Sequence, residues 1–127
     1  MCLFKAKASF SSFSVDNLDK AKDFYGQVLG IEVTEEEMGV LFLHTSGTKV
    51  LVYPKKNHEP ATFTVLNFEV DDIDRAAAEL ADKGINLERY DGFNQDEKGI
   101  ARSSGEGPSV AWFKDPAGNI LSVIQEE

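Results

Sequence analysis

The chain has 127 residues, enough for one domain with a buried core. Its formal net charge of −9 argues against nucleic-acid binding, because phosphate contacts need clusters of lysine and arginine. The single cysteine, Cys2, excludes an internal disulfide, and no apolar run approaches the ~20 residues of a membrane span. With no signal-peptide pattern in view, the expectation is a cytoplasmic protein that binds neither nucleic acid nor membrane.

The first elements in chain order are a strand and a helix. Polar and apolar residues alternate over residues 7–15, which is typical of a strand with one packed face. Asp16 or Asn17 can cap the helix that follows, and Gly30 can end it in a left-handed conformation. Further strands complete a first module of β-α-β-β-β order over residues 7–54, and they are predicted at about 31–36, 39–44 and 48–54.

The second half of the chain predicts the same order after a linker. Residues 54–61 are polar and carry two prolines, and residues 62–127 form the second module. Asp71 is the predicted cap of its helix. An insertion over residues 90–108 has no counterpart in the first module, and loops of that length are usually functional lids or disordered. The other strands are predicted near 65–70, 85–89, 109–114 and 119–125.

The two halves are also similar in sequence. The segment SVDNLDKAKDFYGQVLGIEV (14–33) recurs as EVDDIDRAAAELADKGINL (69–87), and HTSGTKVLVY (44–53) recurs more loosely as DPAGNILSVI (115–124). Such a repeat indicates a duplicated supersecondary unit. One small sheet with one helix leaves its other face bare, so two modules should pack together. The prediction is an α+β fold in which two β-α-β-β-β modules form a curved mixed sheet around a cleft, as one domain.

Two segments carry a resemblance to a known family. VDNLDKAKDFYGQVLGI and WFKDPAGNILSV resemble matching parts of the vicinal oxygen chelate superfamily. This family includes glyoxalase I, extradiol dioxygenases, and the fosfomycin- and bleomycin-resistance proteins. The resemblance covers essentially the whole chain and implies the glyoxalase-like fold. It also implies a homodimer, and whether the modules pair within or across chains stays open.

The resemblance further implies where a metal would sit. Metal-dependent members take one ligand from the first strand and one from the last strand of each module. Divalent metals need imidazole, carboxylate or similar donors. The two histidines, His44 and His58, are expected at the surface, away from the cleft. We therefore expect no metal and no cofactor, because the four implied positions hold Phe10, Leu51, Val65 and Ser122.

Strand alternation predicts which other side chains face the cleft. Glu69 is the candidate catalytic residue, because a carboxylate in an apolar cleft can act as general acid or base, and its alternative place is a solvated rim. Trp112 faces either the cleft or the core between strands. No hydroxyl nucleophile with an adjacent histidine base is expected. The predicted ligand-binding residues are Phe10, Ser12, Leu51, Tyr53, Val65, Asn67, Trp112 and Ser122.

This residue set indicates a function in binding. An apolar, aromatic floor with a few polar groups is typical of a small-molecule pocket. The hypothesis is metal-independent binding of a small, partly apolar or aromatic organic molecule in the inter-module cleft, as in the bleomycin-resistance branch. The alternative is a lyase, isomerase or oxygenase of the same superfamily with non-standard site residues.

Overall fold

The computed structural model describes residues 5–102 and 107–126. It comprises two compact units, Met1–His58 and Glu59–Glu127, whose boundary lies inside the predicted linker. Over the described parts of the chain, no helix has the length and apolar character needed to cross a membrane.

Unit one is a four-stranded sheet with one helix on one face. The strand order is β1-β4-β3-β2, with β1 parallel to β4 and the other neighbours antiparallel. Helix α1 (Leu18–Asp23) continues directly into a π-helical turn, Phe24–Val28. The strands are β1 (Ser11–Val15), β2 (Glu32–Glu36), β3 (Val40–Thr45) and β4 (Thr48–Pro54).

Local sequence explains where this helical segment begins and packs. The Asn17 side chain accepts a hydrogen bond from the Lys20 amide at 3.0 Å, so Asn17 is the cap. Gly30 has a φ of 75°, which glycine adopts without the steric cost that other residues incur. The ring of Tyr25, which is fully buried, lies 6.0 Å from that of Phe13 on β1. The helix therefore covers the face of the sheet that carries Phe13.

Unit two has a smaller sheet and a longer helix. Strand β7 (Ile120–Gln125) lies in the centre, parallel to β5 (Thr64–Glu69) and antiparallel to β6 (Ser109–Lys114). Helix α2 (Ile73–Asp82) begins after Asp72, whose side chain accepts from the Arg75 amide at 3.2 Å. The predicted cap, Asp71, is therefore wrong by one residue, since Asp72 is the last residue with an extended backbone before the helix.

The predicted strand over 85–89 is not formed as a strand. Only Glu88 pairs with the sheet, through a single bridge to Trp112. The side chain of Gln95 instead satisfies the backbone that follows, accepting from the Tyr90 amide at 2.8 Å and donating to the Glu88 carbonyl at 2.9 Å. This side chain takes the place of ladder hydrogen bonds, so the sheet of unit two has three strands where four were predicted.

The DPAGN segment forms the turn between β6 and β7. Asp115, 5% exposed, accepts hydrogen bonds from the amides of Ala117 and Asn119, both at 2.9 Å. The Asn119 side chain donates to the second carboxylate oxygen at 3.0 Å. Gly118 has a φ of 86°, as this tight turn requires. The polar residues of this motif therefore hold a turn in shape.

Candidate functional site

Four predicted ligand-binding residues share the helix-free face of unit one. Ser12 and Leu51 are register partners on β1 and β4, and Tyr53 lies two residues beyond Leu51. Leu51 is also the register partner of Phe42 on β3, and the ring of Phe42 lies 5.8 Å from that of Phe10. The structure thus brings Phe10, Ser12, Leu51 and Tyr53 onto one face.

A lysine that the sequence analysis did not consider joins this face. The Lys49 ammonium lies 4.6 Å from the ring centroid of Phe42 and 5.0 Å from that of Phe10. Both distances are within the range of cation–π attraction. The amphipathic lysine side chain therefore covers part of an otherwise apolar surface.

Both histidines were expected at the surface, away from the cleft, and each lies beside a hydroxyl in the structure. His58 Nδ1 lies 2.7 Å from Ser14 Oγ, and His44 Nε2 lies 2.9 Å from Thr34 Oγ1. All four residues are half-buried. Sequence spacing could not reveal these pairs, because 44 residues separate Ser14 from His58.

Three predicted residues form a row across the sheet of unit two. Asn67, Ser122 and Trp112 are register partners on β5, β7 and β6. The Ser122 hydroxyl donates a hydrogen bond to Asn67 Oδ1. Since the Gln125 side chain accepts from the first amide of α2, at Ile73, Gln125 lies on the helix side and Ser122 on the helix-free side.

Val65 does not occupy the position that simple alternation predicts. The register of β5 against β7 shifts between Thr64 and Leu66, which makes Val65 the extra residue of a β-bulge. Thr64 is instead the register partner of Ile120, and these two residues lie side by side on the helix-free face. Beyond a bulge, successive side chains lie on the opposite face from the one that simple alternation predicts. A residue placed by counting back from Asn67 across the bulge is therefore assigned to the wrong face.

A hollow on the helix-free face of unit two is the principal cavity of interest. Its volume is about 370 Å³, and we call it the aromatic pocket. The ring centroids of Phe93 and Trp112 are 4.8 Å apart, and those of Tyr90 and Trp112 are 5.4 Å apart in an edge-to-face arrangement. Phe63 and Phe93 are 67% and 55% exposed, which is unusual for large apolar side chains. The pocket is lined by Thr62, Phe63, Thr64, Tyr90, Phe93, Trp112 and Ile120.

Of these lining residues the sequence analysis had selected only Trp112. Tyr90 and Phe93 belong to the long insertion, where alternation gives no signal. Two aromatic residues in a segment rich in glycine and charge were the available sequence signal. Aromatic side chains do not add to the solubility of a polar loop, and binding residues are often found on loops.

The Tyr90 side chain at this pocket carries a buried hydroxyl. Its oxygen is buried and, within residues 5–102 and 107–126, has no hydrogen-bond partner. Burial raises the pKa of Tyr90 above its ordinary value, and the nearby Glu88 carboxylate raises it further. The hydroxyl therefore stays protonated at neutral pH. Leaving this buried group without a partner costs about 1–3 kcal/mol.

The described part of the insertion is an ordered structure. Asp96 Oδ1 accepts from the amides of Lys98 and Ile100 at 2.9 and 3.0 Å, and Ile100 is fully buried. Arg102 joins Asp96 to Asp74 in the first turn of α2 by ion pairs with both carboxylates. The insertion is thereby attached to the helix. Residues 103–106 of the predicted 90–108 loop lie outside the described residues.

These ion pairs also perturb titration. Burial of Asp96 acts to raise its pKa, but hydrogen bonds from Arg102 and from the amides of Ile100 and Lys98 lower it below its ordinary value. The same bonds to Asp96 and Asp74 raise the pKa of Arg102. The attachment is therefore fully charged at neutral pH.

Glu69, the predicted catalytic residue, is exposed at the end of β5. Its register partner is Ile124 on β7, and it lies outside the set that lines the aromatic pocket. The acid–base role predicted for Glu69 required a carboxylate shielded in an apolar cleft. The Glu69 side chain is exposed instead, as expected of the alternative position at a solvated rim.

The residues at the implied metal positions do not fit a metal. Phe10 and Leu51 offer no donor atoms, and the Ser122 hydroxyl already donates to Asn67. In the described residues, no group of three or more histidine, cysteine, aspartate or glutamate side chains is arranged to hold a metal ion. A divalent ion at this place would lack the nitrogen and carboxylate ligands that such ions require.

The fold and these motifs are those of one superfamily. The family model described as Glyoxalase/Bleomycin resistance protein/Dioxygenase superfamily matches residues 10–123. The chain belongs to this superfamily. Among curated protein sequences, none matches the chain.

Solved structures show the same fold at low sequence identity. A glyoxalase-family protein from Bacillus anthracis has a TM-score of 0.74 at 18% identity, with 100% of both chains covered. The fosfomycin resistance protein FosX from Listeria monocytogenes also has a TM-score of 0.74, at 11% identity, covering 98% of this chain and 96% of that one. Lactoylglutathione lyase from Agrobacterium tumefaciens has a TM-score of 0.66 at 20% identity, with 95% of each chain covered. At these identities the likeness establishes the fold, and function has to be argued from the site.

Proposed function

We propose that this protein binds a small, partly apolar or aromatic organic molecule, without a metal, in the aromatic pocket of unit two. The observation that carries the proposal is the cluster of Phe63, Tyr90, Phe93 and Trp112 around one hollow. Its volume of about 370 Å³ is within the range of small-molecule sites.

The chemistry of the lining supports an aromatic ligand. Aromatic side chains bury a large apolar area and favour edge-to-face or offset contacts with a further ring. The half-exposed rings of Phe63 and Phe93 lose water contact when a ligand covers them, which is favourable at about 25 cal/mol per Å². Thr62 and Thr64 supply hydroxyls that can orient the bound molecule.

The rest of the molecule favours binding over turnover. The implied metal positions lack suitable donors, and the carboxylate of Glu69 is exposed. Retention of a ligand needs neither feature.

Ligand-induced stabilisation tests the proposal, since a molecule that binds the native state raises its melting temperature. A panel of neutral and charged single-ring and two-ring aromatic compounds would be screened, with binding confirmed by calorimetry. Phe93→Ala should weaken binding of each hit by about tenfold. Met38→Ala is the matched control, because Met38 is 82% exposed in unit one and lies outside the pocket.

Two results would contradict the proposal. One is a panel in which no compound shifts the melting temperature, or in which Phe93→Ala and Met38→Ala bind equally well. The other is stoichiometric nickel, zinc, iron or manganese in the purified protein, lost on chelation together with ligand binding.

A further inference from the structure

The charge of the chain is unevenly divided between its units. Residues 59–127 contain fifteen acidic and six basic side chains, whereas residues 1–58 contain seven of each. The whole net charge of −9 therefore belongs to the unit that carries the aromatic pocket. Such a field attracts cations and repels anions over about one Debye length, ~8–10 Å at physiological salt.

The pocket wall itself is uncharged and rich in ring faces. None of the residues that line it is ionised at neutral pH, and four of them are aromatic. The faces of aromatic rings carry negative electrostatic potential and attract ammonium groups within about 6 Å. Sites walled by several rings are suited to organic cations for this reason.

Two cations near the pocket are paired with carboxylates. Lys114 Nζ lies 3.7 Å from the carboxylate of Glu88, and the Glu88 amide bonds to the Trp112 carbonyl at 2.7 Å. Arg102, near the far side of Phe93, is bound by two carboxylates, those of Asp74 and Asp96. The residues that line the pocket include no lysine or arginine that could hold a ligand carboxylate.

We propose that the aromatic pocket selects protonated organic amines, with the ammonium group held against the rings of Phe63, Phe93 and Trp112. This inference rests on the proposed function and names the ligand class of the same site. An aryl-alkyl ammonium compound meets it fully, since its own ring can pack against the remaining wall.

Three probes of matched shape test it: 2-phenylethylammonium, 2-phenylethanol and phenylacetate. Trp112 is the only tryptophan of the chain, so its emission reports directly on this pocket, with N-acetyltryptophanamide as the reference for collisional quenching. Calorimetry gives independent affinities. The ammonium probe should bind about tenfold more tightly than the alcohol, and phenylacetate more weakly than either. The preference should shrink as salt rises from roughly 50 to 500 mM.

Two comparisons isolate the contribution of the rings. The trimethylated analogue of 2-phenylethylammonium has no N–H and should bind within about threefold of the parent compound, because ring faces attract either cation. Phe93→Leu retains apolar bulk and should weaken both ammonium probes more than the alcohol. Met38→Ala should change none of these values.

The outcomes distinguish this inference from the function on which it rests. Equal binding of the alcohol and the ammonium probe, or tighter binding of phenylacetate, would overturn cation selection and leave aromatic binding intact. Equal weakening of the ammonium probe and the alcohol by Phe93→Leu would also overturn the role of the rings in cation selection. Failure of all three probes, together with the neutral panel, would overturn both proposals.

Discussion

Replacement of Asp115 tests whether the DPAGN motif is a structural element. In Asp115→Ala, two amides and one side-chain N–H lose their carboxylate acceptor, and Asp115 and Asn119 are only 5% and 2% exposed. Each buried donor left unsatisfied costs about 1–3 kcal/mol, so we expect a loss of about 3–5 kcal/mol in the free energy of unfolding. Urea unfolding followed by Trp112 emission measures this loss in unit two.

Asp115→Asn provides a graded comparison. Its carboxamide oxygen can still accept from the Ala117 and Asn119 amides, and only the bond to the Asn119 side chain is lost. The expected cost is about 1–2 kcal/mol. A loss below about 1 kcal/mol for the alanine variant, or equal losses for the two variants, would refute a role for these hydrogen bonds in stability.

Two further predictions concern the insertion. Gln95→Ala removes three hydrogen bonds that tie Glu88, Tyr90 and Gly99 together, so it should cost about 2–3 kcal/mol and shift Trp112 emission to longer wavelength. The control is Gln27→Ala, since Gln27 is exposed. An unchanged spectrum would contradict the role of Gln95 in holding the insertion. Asp96 has a depressed pKa, so the stability that it contributes is present above its unfolded pKa near ~3.9 and is lost as the pH falls through its lower folded pKa. Carboxyl NMR titration should show this low midpoint in the native protein and a higher one in Arg102→Ala, and equal midpoints would count against the ion pair.

Much of the secondary structure was predictable because its causes are local. The helix cap at Asn17 and the left-handed turn at Gly30 depend on a few neighbouring residues. The alternation over β1 reports which face is packed, and Phe13 and Val15 are indeed buried. Duplication of the sequence also predicted the repeated element order. Family membership followed from the same segments.

Most of the errors arise from contacts between residues that are not neighbours in the chain. The bulge at Val65 is set by pairing of β5 with β7, some 55 residues away in the chain. The missing strand over 85–89 follows from the side chain of Gln95, which competes with the ladder for backbone groups. The partner of His58, Ser14, belongs to the first strand of the unit. None of these interactions has a periodic signature.

The sequence by itself determined the superfamily, the order of elements and the absence of suitable metal donors at the implied positions, because these depend on residue type and local spacing. Tertiary structure alone decided which aromatic residues meet. Phe63, Trp112 and the pair Tyr90 and Phe93 come from three separate segments. They line one pocket only when the insertion folds around Gln95 and Asp96 onto the helix-free face of β6. Side-chain hydrogen bonds within the insertion and the ion pair of Arg102 with Asp74 fix that arrangement, and such contacts leave no periodic pattern in the linear chain.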